Sequence, residues 1–254
     1  DQIDLERQIP AELASEIADK GFFRLLLPKS LGGAELDHLD FLRILEIFAD
    51  VDGSTAWCIN QNNVHSTNAL RMSPDAAEEI YSESRAVVTN GPPTSDVKAV
   101  RCDGGYLLTG RWNFSSGISH ATWVAARAPI VQPGEEPTPS FGQEGHRIML
   151  MPKDEVNFLD FWPVHGLRGT ASFSFEADDL FVPECHTYDP VGPMREDGPI
   201  YNIPLTLLFA SGFSTVALGI AKVSLNTAIE LAGSKIPGRA TRLLKDESTT
   251  QRII

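Results

Sequence analysis

The chain has 254 residues, 42% of them hydrophobic, which is enough to bury one large or two modest cores. Its 34 acidic and 21 basic residues give a net charge of −13 without a basic cluster, so the electrostatic footprint of a nucleic-acid binder is missing. No run approaches the ~18 apolar residues of a membrane span, and the acidic opening Asp1-Gln2-Ile3-Asp4-Leu5-Glu6 does not suit a signal peptide, so no membrane association and a cytoplasmic setting are expected.

Helical signals come first. Pro10 suits a first helical turn, Leu13 and Ile17 share a face up to Lys20, and Gly21 is a natural stop. After the loop Leu27-Pro28-Lys29-Ser30-Leu31-Gly32-Gly33, residues 39–49 place Phe41, Leu45 and Phe48 on one stripe. Asp52-Gly53-Ser54 caps a third helix running through Trp57 toward Leu70, and Ser73-Pro74 opens a fourth. Residues 1–84 therefore read as an N-terminal helical domain.

The signals then change to short β-rich runs. Asp103-Gly104-Gly105 between residues 97–102 and 106–111 is a hairpin signature, because glycine supplies the positive φ of a tight turn. Residues 122–128, 147–151, 171–176 and 180–182 continue the series, with residues 132–145 as a polar excursion loop. Residues 85–200 read as a middle β-barrel domain. From Leu205 a helix runs for almost thirty residues, with Leu218, Ala221, Leu225 and Ala228 in one stripe, before Ile236-Pro237-Gly238 breaks it and residues 248–254 begin another. One long helix cannot bury its own apolar face. Residues 201–254 are therefore expected to start a C-terminal helical bundle whose remainder comes from further sequence or another subunit. The chain opens without Met and stops at Ile254 inside a helical pattern, so it is expected to be a fragment truncated before the bundle ends.

This order of parts resembles the acyl-CoA dehydrogenase superfamily. The likeness covers nearly the whole chain and rests on the loop 27–33, Asp52-Gly53-Ser54, Gly110-Arg111-Trp112-Asn113-Phe114-Ser115-Ser116-Gly117, Gly166-Leu167-Arg168-Gly169-Thr170, Phe181-Val182-Pro183 and the long small-residue helix. Dehydrogenases of this superfamily carry a Thr-Glu…Gly-Ser-Asp stretch, which here reads Thr89-Asn90-Gly91-Pro92-Pro93-Thr94-Ser95-Asp96, with Glu replaced by Asn90 and Gly by Thr94. The Gly-Arg-Trp-x-Phe-x-Ser-Gly string, and Trp57 with His65 eight residues later, are similar to the flavin-dependent monooxygenase branch, which hydroxylates aromatic or steroid-derived phenols.

The resemblance implies a flavoprotein oxidoreductase that uses reduced FMN or FAD from a separate flavin reductase. O2 then forms a flavin C4a-hydroperoxide that hydroxylates a phenolic or polycyclic substrate. It also implies a homotetramer. A flavin needs an aromatic wall, a partner at N5 and donors for its pyrimidine oxygens. Phe114 and Trp112 are candidates for the wall, Ser116 for the N5 proton and Thr89 for the pyrimidine edge, with Trp57, Ser115 and Arg168 as further cofactor-binding candidates. His65, with an ordinary pKa near 6.5, is the candidate to accept or bond a phenol proton. The ordinary reading of each Trp is a core aromatic, of Ser115 and Ser116 a strand end before a glycine turn, and of Arg168 a structural ion pair.

Cys58, Cys102 and Cys185 have no CxxC spacing and read as reduced structural thiols, while His120, His146, His165 and His186 have no ligand spacing, so no metal site is expected. No G-x-G-x-x-G, P-loop or G-x-S-x-G motif supports another nucleotide or hydrolase chemistry. Two alternatives remain: an acyl-CoA dehydrogenase acting on an acyl-CoA thioester with bound FAD, its base in the C-terminal bundle, and a non-catalytic scaffold that keeps the fold.

Overall fold

The fold is that of a computed structural model, and it describes residues 2–135, 145–238 and 240–253. The helical third comprises α1 (Gln2–Glu6), α2 (Ala11–Asp19), α3 (His38–Ala49), α4 (Gly53–Ser66) and α5 (Pro74–Tyr81). The cap residues act as their chemistry dictates. Asp37 accepts from the amides of Leu39 and Asp40, Asp52 from that of Thr55, and Ser73 from that of Ala76, so the starts of α3, α4 and α5 each have an orphan donor satisfied. The helix expected to reach Leu70 stops at Ser66 and tightens into a 3-10 turn over Thr67–Arg71.

Helix α4 is buried nearly all round, including Asn60, Gln61, Asn62, Asn63 and His65. Its amides serve as cross-braces. Asn63 accepts from the backbone N–H of Leu25 (2.7 Å) and Leu26 (3.2 Å) and donates to the carbonyls of Phe22 and Ile59, which pins the loop after α2. Asn62 donates to the Val88 carbonyl. Satisfied buried amides of this kind hold one arrangement, because any slip leaves a donor stranded away from water.

The eight strands are β1 (Val88–Asn90), β2 (Lys98–Cys102), β3 (Gly105–Ser115), β4 (Trp123–Val131), β5 (His146–Pro152), β6 (Asn157–Leu159), β7 (Phe173–Pro183) and β8 (Thr187–Tyr188). Their order is β6-β7-β3-β2-β4-β5-β8, with β1 alongside β4. The sheet folds over so that Tyr106, Trp112 and Phe175 from β3 and β7 share one core with Val124, Ala126, Met149 and Met151 from β4 and β5. The result is barrel-like and, among the described residues, open between β6 and β8.

The two strands expected over 171–176 and 180–182 are one strand, β7. Asp179, at φ 46°, and a register shift opposite Leu108 and Gly110 bend it without ending it. Most of the expected loop 132–145 lies outside the described residues. β1, β6 and β8 carry too few residues for a period-2 signal and were missed.

The long helix is α6 (Leu205–Ser234), 30 residues, followed by α7 (Ser248–Ile253). By length and composition α6 is apolar enough to cross a membrane, which corrects the expectation that no run comes close; the small residues interleaved along it mask this to the eye. In this fold one face packs on α3 and α4 through Leu208, Gly212, Val216 and Gly219. Leu218 and Leu225 of the expected stripe stay exposed on the other side.

Candidate active site

Two helices, two strand ends and a loop converge on an apolar cavity of about 410 Å3, a volume typical of small-molecule sites. Helix α4 contributes Trp57 and Gln61, one turn apart on the same face. The ends of β1 and β3 contribute Asn90, Phe114 and Ser116, and the loop before β7 contributes Trp162, Leu167, Thr170 and Ser172. Phe213 of α6 closes the far side and stacks on Trp57 with ring centroids 3.9 Å apart. A larger depression of about 740 Å3 between α1 and the start of α4 has no aromatic wall and lies away from these groups.

The backbone around the cavity is bent where it presents side chains. Phe114, Leu167 and Ala171 adopt φ of 55°, 53° and 43°, a region that costs a non-glycine residue roughly 1 kcal/mol. At Phe114 the bend turns the chain out of β3, and the Ser116 amide closes back on the Phe114 carbonyl at 2.9 Å. The Gly117 amide then donates to the Thr170 carbonyl at 2.7 Å, which ties the Ser-Ser-Gly turn to the facing loop.

That tie lines up a chain of hydroxyls. The Trp57 Nε1–H donates to Ser116 Oγ (3.0 Å), Ser116 Oγ and Ser172 Oγ are 2.7 Å apart, Ser172 Oγ and Thr170 Oγ1 are 2.7 Å apart, and Thr170 Oγ1 donates to the Leu167 carbonyl (2.9 Å). With the Thr170 proton on that carbonyl, Ser172 donates to Thr170 and Ser116 donates to Ser172. Ser116 is left with one lone pair free on the cavity side, so it is an acceptor for an N–H. If Thr170 turns its proton to Ser172, the whole chain reverses and Ser116 becomes a donor. A reduced flavin carries a proton on N5 and an oxidised one does not, so this switchable hydroxyl fits N5 in either state. The aromatic walls fit the ring.

The other sequence candidates are placed as follows. Trp112 does not reach the cavity. It is fully buried in the β core, stacked on Phe175 at 5.0 Å with its Nε1–H on the Arg127 carbonyl, so the expected wall residue is a core residue. Thr89 is also buried. Its hydroxyl donates to the Ser116 carbonyl at 2.6 Å, so it supports the Ser116 backbone and is not offered to a pyrimidine edge. Ser115 is buried, its hydroxyl without a partner among the described residues, and lies off the cavity wall.

Arg168 bonds the carbonyls of Asp4 and Val164 and lies 3.6 Å from the Asp4 carboxylate, the structural alternative for this residue. Phe114 lies at the cavity's mouth, 61% exposed, edge-on to Trp162 at 6.0 Å. Gln61, Trp162, Ser172 and Phe213 were not singled out from the sequence. Only Gln61, four residues after Trp57, had a periodic signal to find it by.

His65 lies one turn beyond Gln61 and off the cavity wall, 5.4 Å from the Phe209 ring, with neither ring nitrogen hydrogen-bonded among the described residues. Burial pushes its pKa down to about 4, opposed only by the side chain of Asn90, so the imidazole is neutral at neutral pH. The unfolded chain takes up this proton near pH 6.5 and the folded one not until about 4. Between those values the unfolded state binds more protons, so stability falls as pH drops from about 6.5 toward 4 and levels off below. His120, pushed to about 3 by burial and then by Lys153, adds to the same trend. Urea midpoints measured across this range should fall less steeply for His65→Asn than for the parent protein, while parallel curves would place the imidazole in contact with water.

Comparisons with known proteins agree with the resemblance. Residues 1–81 match the family model for the acyl-CoA dehydrogenase N-terminal domain. HsaA, the oxygenase subunit of a flavin-dependent monooxygenase of Mycobacterium tuberculosis, is 29% identical over 238 residues, covering 91% of this chain and 59% of that protein. The chain thus spans less than two thirds of the length of that relative. Among solved structures, 3-HSA hydroxylase from Rhodococcus sp. RHA1 superposes with a TM-score of 0.80 at 25% identity, covering 92% of this chain and 62% of that one. XiaF from Streptomyces sp., solved with FADH2 and glycerol, gives 0.85 at 24% identity over 99% and 65%. The chain has the acyl-CoA dehydrogenase-like fold and resembles the monooxygenase branch, as its motifs imply.

Proposed function

We propose that this chain, built on the acyl-CoA dehydrogenase plan, is the oxygenase part of a two-component flavin-dependent monooxygenase that hydroxylates a phenolic or polycyclic substrate. The observation that carries this reading is the hydroxyl chain ending at Ser116 in an aromatic-walled cavity. Reduced FMN or FAD, when bound, supplies the two electrons that activate O2, one oxygen atom going to the substrate and the other leaving as water. Ser116 holds the proton at N5, and Ser172 and Thr170 set which way the Ser116 hydroxyl points. Trp57, Phe213 and Trp162 keep water out, which matters because a reactive oxygen species survives only in a dry site. His65, neutral and behind the wall, keeps that side of the cavity uncharged.

A separate reductase, a homotetramer assembled through the exposed face of α6, a cytoplasmic setting and domain limits at residues 84 and 200 belong to the same proposal. The test is to mix the protein with chemically reduced FMN and a phenolic substrate, then admit isotope-labelled O2. One labelled oxygen per hydroxylated product supports the reading. Bleaching of bound oxidised FAD by an acyl-CoA, with no labelled product, would replace it with the dehydrogenase.

A further inference from the structure

We propose that the amide pair formed by Gln61 and Asn90 is the specificity element of this cavity, selecting an uncharged aromatic substrate that carries a hydroxyl. The inference deepens the functional reading above and rests on it for the identity of the reaction, though not for the binding it describes.

Gln61 comes from the middle of α4 and Asn90 from the end of β1, and both line the cavity. The Gln61 Nε2–H donates to Asn90 Oδ1 at 2.8 Å. That bond uses one end of each amide; Gln61 Oε1 and Asn90 Nδ2–H make no further hydrogen bond of ordinary geometry among the described residues and are not sealed away from the cavity, although the Asn90 side chain also borders His65. An amide holds its oxygen and nitrogen in one plane, so the first bond also orients the two free ends.

A phenolic hydroxyl donates and accepts at once, so it closes on both ends. A bare hydrocarbon ring satisfies neither and leaves two polar groups stranded in an apolar pocket. A carboxylate fails differently. It sets a second acceptor against Gln61 Oε1, and no Lys, Arg or His lines the cavity among the described residues to compensate its charge. The remaining wall, Trp57, Trp162 and Phe213, accepts a flat ring. Gln61 and Asn90 line the cavity and His65 does not, so the amides are the groups offered to a hydroxyl there.

The test uses three probes of one shape, 2-naphthol, naphthalene and 2-naphthoate, titrated calorimetrically into the protein with and without saturating oxidised FMN. Binding of 2-naphthol about tenfold or more tighter than either of the others is expected. Gln61→Met, which keeps the volume and removes both hydrogen-bonding ends of that side chain, and Asn90→Leu should each abolish the preference for naphthol over naphthalene without weakening naphthalene. Equal affinities for naphthol and naphthalene in the parent protein would overturn the proposal. So would a naphthol preference that survives both substitutions, including the case where the variants lose FMN instead, which would assign the pair to the flavin and leave the functional reading standing. If the parent protein fails to bind FMN, the functional reading falls, and the flavin-free naphthol series still decides this one.

Discussion

Ser116→Ala is expected to lower hydroxylated product about 100-fold under the proposed function, the size of effect that follows loss of one preorganised hydrogen-bonding group at a reacting centre. Ser116 is the only member of the hydroxyl chain bonded to both Trp57 and the facing loop. Removing its oxygen therefore takes away the acceptor for N5 and also strands the Trp57 Nε1–H, a penalty of about 1–3 kcal/mol in stability. The check is the ratio of product to flavin oxidised, read beside peroxide release. The variant should still oxidise reduced flavin and should release peroxide in place of product. Ser172→Ala separates positioning from contact, since it leaves the Ser116 oxygen in place but removes its partner. It should lower the same ratio less, by about tenfold. If both variants keep the parent's ratio, Ser116 does not hold the N5 proton.

Gly91→Ala is expected to destabilise the fold by about 3 kcal/mol or more, at the upper end for an added methylene in a packed region, and to weaken every ligand of the cavity. A Cβ at Gly91 would lie 2.1 Å from the Asn113 carbonyl oxygen and 2.5 Å from Ser115 Oγ. The first neighbour is backbone, in the strand that delivers Phe114 and Ser116, and it cannot rotate aside. The ends of β1 and β3 must separate, and Asn90 moves with them.

Gly212→Ala is a second case at the α4–α6 contact. Its Cβ would come within 1.9 Å of Asn60 Oδ1 and 2.3 Å of Asn60 Cγ, and Asn60 is fully buried, so the amide has no open space to turn into. Its expected loss is of the same order, about 3 kcal/mol. At about 2–4 °C per kcal/mol for a chain of this size, thermal melts register both. A Gly91→Ala melt within 1 °C of the parent, at about the resolution of such a melt, would show that the strand ends are looser than their geometry implies.

Much of the architecture was legible in the sequence because it depends on local chemistry. Asp52 and Ser73 cap helices whichever fold surrounds them, and Asp103-Gly104 turns a hairpin because Gly104 takes a φ of 76°. The Ser-Ser-Gly string and the 166–170 loop were both found as motifs, and they do face one another. Side-chain direction was the less legible part. Trp112, Phe114 and Ser116 alternate along one strand and should share a face, yet Trp112 is in the core while Phe114 and Ser116 reach the cavity.

The reason is the register shift between β3 and β7 from Trp112 to Ser115, together with the positive φ at Phe114, which breaks the alternation between those residues. Propensity does not announce a bulge, since it is stable only against its partner strand. The pairing of Gln61 with Asn90 and of Ser116 with Ser172 spans 29 and 56 residues, distances over which no periodicity carries information. The sequence by itself determined most of the longer helices and strands and where they start, and it offered candidates for a flavin site. Tertiary structure alone decided which of those residues reach the cavity, because that depends on strand register and helix packing, long-range contacts that local propensity does not encode.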